Sequence, residues 1–120
     1  MAINFIPSKK ASLKAPVTVT ASYNVWSDAI NITGAGRLVT LLVSSQATST
    51  TFYKVWIDEI LIEDSSVASG GSGLNYYIGT GYKSADFKQY NASFSRSLRI
   101  EHYNNVFPVV GGCTIFYELE

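Results

Sequence analysis

Apolar and polar residues alternate with a period of two along most of this chain, the repeat of a pleated strand with one face buried. In Val17-Thr-Val-Thr-Ala21, Val17 and Val19 share a side. Tyr53, Val55 and Ile57 do the same in Tyr53-Lys-Val-Trp-Ile57. The run from Phe94 through Ile100 turns Leu98 and Ile100 inward, with Ser97 and Arg99 outward. Near the C-terminus, Ile115, Tyr117 and Leu119 share a face. Further strands are expected at residues 2–6, 27–33, 37–45, 60–63 and 74–78, and no helical period of useful length competes. The 37–45 segment differs, because Leu38, Leu41, Leu42 and Val43 make it apolar on both sides, as expected of a central or interface strand.

Turn chemistry separates these runs: Gly34-Ala35-Gly36, the polar stretch 46–50, Asp58-Glu59, the stretch 65–73 ending Ser-Gly-Gly-Ser-Gly, and Asn104-Asn105. The 65–73 stretch reads as a mobile surface loop, since the strands on either side are too short to stand as separate domains. Eight or so short strands at this spacing imply an all-β fold, a two-sheet antiparallel sandwich of jelly-roll-like order. The expected division is an N-terminal arm or first strand over residues 1–16 and a single β-sandwich domain over 17–120.

Composition narrows the function classes. A chain of 120 residues with 47% hydrophobic content can build one core without a disulfide or a metal. Nine basic residues balance nine acidic ones, which removes the electrostatic basis for nonspecific nucleic-acid binding. No stretch approaches 18 consecutive apolar residues, and residues 1–7 lack a basic region followed by an apolar segment and a small-residue cleavage site. Neither a membrane span nor a signal peptide is expected. The single cysteine, Cys113, has no internal disulfide partner and leaves the redox compartment open.

Motifs that could carry chemistry lack their context. In Gly34-Ala-Gly36, Val39 stands where a dinucleotide fingerprint has its third glycine, and the turn leads into a strand rather than a helix. Gly79-Thr-Gly-Tyr-Lys-Ser84 ends like a phosphate loop, but Tyr82 replaces the glycine before the lysine. His102, the only histidine, falls on the inward parity near a strand end and is expected to have a satisfied polar tip. Cys113 opens an apolar strand and reads as a small packed side chain. The carboxylate pairs Asp58-Glu59 and Glu63-Asp64 sit at turns or strand ends, and adjacent strand residues point to opposite faces, unlike a glycosidase pair. Asn31-Ile-Thr33 and Asn91-Ala-Ser93 match the glycosylation pattern by accident in a chain read as unsecreted. No catalytic, cofactor-binding or metal-ligating residue is assigned, and the chain is expected not to be an enzyme.

The aromatics say more. Tyr76, Tyr77, Tyr82, Phe87 and Tyr90 crowd one stretch beyond what one strand face can bury. They fit a subunit interface, intramolecular packing or a glycan-stacking surface. Charge is also uneven: residues 1–16 carry Lys9, Lys10 and Lys14 with no acid, +3, whereas 54–64 carry Lys54 against Asp58, Glu59, Glu63 and Asp64, −3. Opposite local charges orient a contact even at zero net charge.

Four segments in order, Asp28-Ala-Ile-Asn-Ile-Thr-Gly-Ala-Gly-Arg-Leu-Val39, Val55-Trp-Ile-Asp-Glu-Ile-Leu-Ile62, Phe94-Ser-Arg-Ser-Leu-Arg-Ile100 and Thr114-Ile-Phe-Tyr-Glu-Leu119, resemble the small jelly-roll structural proteins of tailed bacteriophages. In that group a glycine turn opens a long apolar strand, and a hairpin of the "VDG" type follows, then an "SSLKI"-like strand and a final aromatic strand. Glu59 replaces the hairpin glycine here, which argues against a two-residue type I′ turn. The resemblance implies a non-enzymatic virion protein, a capsid decoration or tail component, oligomeric and most often trimeric, docking on other virion proteins. The expected contact residues are Ile3, Phe5, Lys9 and Lys10 of the arm, Leu41 and Val43, and Tyr76, Tyr77 and Tyr82. The alternative is a carbohydrate-binding module recognising a host-surface glycan through Tyr76, Tyr77, Tyr82 and Tyr90.

Overall fold

The computed structural model describes residues 12–46, 49–68, 74–78, 81–109 and 111–120, with the backbone alone described at 74–78 and 81–86. Its strands are β1 (Ser12–Leu13), β2 (Val17–Thr20), β3 (Ser22–Tyr23), β4 (Ser27–Thr33), β5 (Gly36–Gln46), β6 (Thr50–Ile57), β7 (Ile60–Ala68), β8 (Leu74–Ile78), β9 (Gly81–Phe94), β10 (Ser97–Asn104) and β11 (Gly111–Leu119). The first sheet runs β1-β11-β5-β9-β8, with β2 also on β11; the second runs β3-β10-β6-β7, with β4 also on β10. The late strands β10 and β11 each lie between an N-terminal strand and a middle one, the jelly-roll arrangement of two facing sheets. Every pairing is antiparallel except the short β3–β10 contact. There the chain turns at Asn24, φ 52°, before β4 pairs with β10 in the opposite sense.

The period-two reading places the core correctly. Leu98 pairs with Ile57, Ile100 with Val55, His102 with Tyr53 and Asn104 with Thr51 across β10 and β6, all on the inner face. Leu38, Leu41, Val43, Phe94, Cys113 and Ile115 meet them from the first sheet. Burying each large apolar side chain contributes roughly 1.5–3 kcal/mol, so this interlayer dominates the stability.

Three expectations change. The 37–45 segment is not apolar on both faces, because an irregularity at Val39 breaks its register with both neighbours, β9 and β11. The extra residue shifts the parity, so Leu38 and Leu41, three apart, both point inward. Residues 65–68 belong to β7 rather than to a loop, and β9 fills the stretch between the glycine-rich segment and Phe94. The expected single run through Phe94 and Ile100 is divided at Ser95-Arg96, where the chain passes from the first sheet to the second.

Side chains pin both ends of the sandwich. At one end, Asp58 and Glu59 both take positive φ, 49° and 69°, between the paired residues Ile57 and Ile60. This is the two-residue turn that the missing glycine argued against. Asp58 compensates: its carboxylate accepts from the backbone N–H groups of Ser95, Arg96 and Ser97 and from Ser95 Oγ, while Arg96 donates to its carbonyl. Those backbone donors hold the Asp58 carboxyl well below the usual carboxylate range. At the other end the core turns polar. Asn104 Nδ2 donates to Ser49 Oγ at 3.2 Å and Thr51 Oγ1 at 3.0 Å, Thr51 Oγ1 to the Ser44 carbonyl at 2.8 Å, and Ser45 Oγ to the Val67 carbonyl. Gly111 lies against this cluster, where a Cβ would come within 2.3 Å of Thr51 Oγ1.

Candidate functional site

Inside the sandwich, the groups best suited to nucleophilic or acid–base chemistry are withdrawn from solvent. Cys113 is buried and unpaired, and burial pushes its thiol up to about 12. His102 is fully buried, with neither ring nitrogen hydrogen-bonded. Its expected satisfied tip is therefore a correction: the facing positions supply no partner, and desolvation lowers its pKa to about 4, against a smaller opposing pull from Asp28. Among the described residues no three of His, Cys, Asp and Glu converge as a metal shell.

The residues expected to make contacts fall into three groups. Ile3, Phe5, Lys9 and Lys10 lie outside the described residues, although β1 just after them pairs with Glu118 and Leu119 at the edge of the first sheet. Leu41 and Val43 have no exposed surface within the single chain, so they are core residues rather than surface ones, for the parity reason given above. In the β8–β9 hairpin, Tyr77 registers with Tyr82 and Tyr76 with Lys83. Tyr90 is not part of an outer aromatic surface: it packs against the core, and its hydroxyl donates to Glu63 Oε1 at 2.9 Å.

A group of residues that the inward-facing pattern hides lies on the outer face of the second sheet. Between the buried Tyr53 and Val55, β6 turns Phe52, Lys54 and Trp56 outward; between Leu98, Ile100 and His102, β10 turns out Arg99, Glu101 and Tyr103. Register makes them cross-strand pairs: Phe52 with Tyr103, Lys54 with Glu101 and Trp56 with Arg99. Phe52 stacks on Tyr103 with centroids 4.6 Å apart, and Trp26 meets Tyr103 edge-on at 4.8 Å. Lys54 Nζ sits 4.4 Å from the Trp26 ring centroid.

Toward the Asp58 end, the face opens into a depression of about 400 Å³ lined by Asn31, Thr33, Trp56, Glu59, Ser97 and Arg99. Its polar groups are already oriented. Trp56 Nε1 donates to Glu101 Oε1 at 2.9 Å, Arg99 pairs with Asp28 at 2.8 Å and with Glu101 at 3.1 Å, and Asn31 donates to Asp28 at 3.3 Å. The alternation in Thr51-Phe-Tyr-Lys-Val-Trp-Ile57 was the signal for this face, read from its outward positions instead of its inward ones. On the first sheet a second depression, about 330 Å³, is lined by hydroxyls and aliphatic groups including Thr18, Thr20, Leu42, Ser44 and Thr114.

A third surface lies along β7, an edge strand whose one neighbour among the described residues is β6. Ile60, Leu61 and Ile62 are 65%, 40% and 45% exposed there, around a register irregularity opposite Val55-Trp56.

No protein-family model and no curated protein matches the sequence. Among solved structures, the chain is similar to the crystal structure of the infectious bursal disease virus VP2 subviral particle, at 9% identity and a TM-score of 0.45. The likeness covers 100% of this chain and 37% of that one, so the chain spans little more than a third of its neighbour's length. Likeness of that degree bears on neither the function nor the assembly of this chain.

Proposed function

We propose that the chain is a non-enzymatic jelly-roll subunit of a tailed-phage virion, one that associates with copies of itself and docks on other virion proteins as a capsid decoration or a tail component. The observation that carries association is the β7 edge. An edge strand offers unpaired backbone donors and acceptors, and soluble proteins normally blunt such edges with charge, proline or cover. On β7 a bulge and the charged Glu63 and Asp64 supply part of that protection, yet ahead of these two acids three consecutive large aliphatic residues, Ile60, Leu61 and Ile62, stand exposed. Apolar surface of that kind marks a contact site.

Two further features support the reading. Residues 54–64 surround the apolar edge with a net side-chain charge of −3, complementary to the +3 of residues 1–16, so an arm of a neighbouring subunit would be steered toward it. Cys113 and His102 are spent on packing, which leaves the outer surfaces for contacts. The phage assignment and the trimer rest on the ordered sequence motifs.

Quantitative mass spectrometry of purified particles of the phage that carries this gene tests the proposal. The expected result is a copy number in simple ratio to the major capsid or tail protein; absence from the particles overturns it.

A further inference from the structure

We infer that the depression around Trp56 is a binding subsite for a neutral saccharide unit, with the indole as its stacking surface and Arg99, Asn31 and Glu59 as its hydrogen-bonding rim. This goes beyond the assembly reading and does not depend on it. A pyranose ring has one face of C–H groups and a rim of hydroxyls that both donate and accept. It is matched by an aromatic plane beside planar polar side chains of mixed donor and acceptor character. The depression brings these together: Arg99 offers donors, Glu59 acceptors and Asn31 both, around a half-buried tryptophan. Its volume of about 400 Å³ lies toward the small end of ligand sites, as suits one or two sugar rings.

Two observations favour a neutral sugar over other ligands. Arg99 is matched by Asp28 and Glu101, and Glu59 stands on the rim, so the local balance is negative and an anionic ligand would be repelled. The ion pairs and the Trp56–Glu101 hydrogen bond also fix the side chains before a ligand arrives, which lowers the entropy lost on binding. The hydroxyl-lined depression of the first sheet has no aromatic plane.

The test is titration of the ¹⁵N-labelled full chain with neutral oligosaccharides of glucose, galactose, mannose and N-acetylglucosamine, and with sialyllactose. The readouts are the Trp56 indole N–H, identified by its loss in Trp56→Phe, and the backbone amides of Asn31, Ser97 and Arg99. At least one neutral sugar is expected to give saturable shifts at these positions. Asn31→Ala and Glu59→Ala, both at exposed sites outside the core, should each weaken binding about tenfold while leaving the rest of the spectrum unchanged. The inference is overturned by the absence of saturable shifts at millimolar sugar, by shifts centred on residues 76–82, by unchanged affinity in both variants, or by tighter binding of sialyllactose. None of these results moves the copy number in particles, so the two readings fail separately.

Discussion

The two sheets bury similar apolar faces against each other, yet their outer faces have little in common. The first sheet turns out Thr18, Thr40, Leu42, Ser44, Phe87 and Thr114, mostly hydroxyls and apolar groups, on which Thr18 and Thr114 touch through their hydroxyls at 3.1 Å, and the ion pair of Arg37 with Glu118 lies at its Gly36 end. The second turns out Phe52, Lys54, Trp56, Arg99, Glu101 and Tyr103, joined to one another by stacking, ion pairs and a cation–π contact. Burial dictates what faces inward and leaves the outward positions open. The denser of the two networks, on the second sheet, is the one beside which the proposed saccharide subsite lies. The first sheet is also the one with close backbone approach, at Gly36 and Gly112, whereas the side-chain networks at both ends join the two sheets.

The largest effect should come from attacking that backbone approach. A Cβ on Gly112 would come within 2.1 Å of the Val19 carbonyl oxygen, and a strand backbone cannot yield as a flexible side chain would. Gly112→Ala is expected to cost about 3 kcal/mol or more, read as a drop in the urea midpoint. A variant as stable as the parent would show that β2 is not held tightly on β11.

Next comes the buried histidine of the second sheet. In the unfolded chain His102 takes up its proton near 6.5, whereas the folded state resists until about 4. Across that window the unfolded state binds more protons, so stability is fully present above about 6.5 and is lost as the pH falls toward 4. The loss should be roughly 2–3 kcal/mol, and His102→Leu should flatten it. Asp58 does not contribute in this window: its carboxyl is lowered, so its share is lost only below the ordinary carboxylate range. A wild-type profile flat between pH 7 and 4.5 would contradict the buried, unpartnered histidine.

Asp58→Ala should act more locally. The amides of Ser95, Arg96 and Ser97 lose their acceptor, so their hydrogen-exchange protection should fall while that of Ile100, in the middle of β10, holds. Unchanged protection at the corner would mean that the turn closes without the carboxylate. The smallest stability effect belongs to the outer face itself: Arg99→Ala removes partly exposed ion pairs and should change stability by less than about 1 kcal/mol. A loss several times larger would make that face structural rather than a recognition surface.

Strands with regular alternation were legible in the sequence. Those at 27–33 and 74–78 have the expected bounds, and the inward parity of Leu98, Ile100 and His102 holds. β9 was not, because its inward-parity positions include Lys88 and Ala92 beside Tyr90. Pairing with β5 holds it as a strand more than any apolar stripe of its own. The parity shift at Val39 leaves no mark in composition, so Leu41 and Val43 read as surface when they are core. The type I′ turn at Asp58-Glu59 depends on acceptors reaching Ser95, Arg96 and Ser97, far away along the chain, which no local rule can see. The aromatic face was missed for a simpler reason: outward residues are ordinarily taken as solvated, and only the register shows that these stack and pair.

Self-association through the β7 edge is most directly tested by sedimentation velocity of the full chain at micromolar concentration, side by side with Leu61→Lys and with Ile62→Lys. Both sites are exposed, so a lysine there is tolerated by the fold, and circular dichroism can verify this. The expected result is an oligomeric wild type and a folded monomer for each variant. A wild type that sediments as a monomer, or folded variants that remain as oligomeric as the parent, would contradict assembly through this edge.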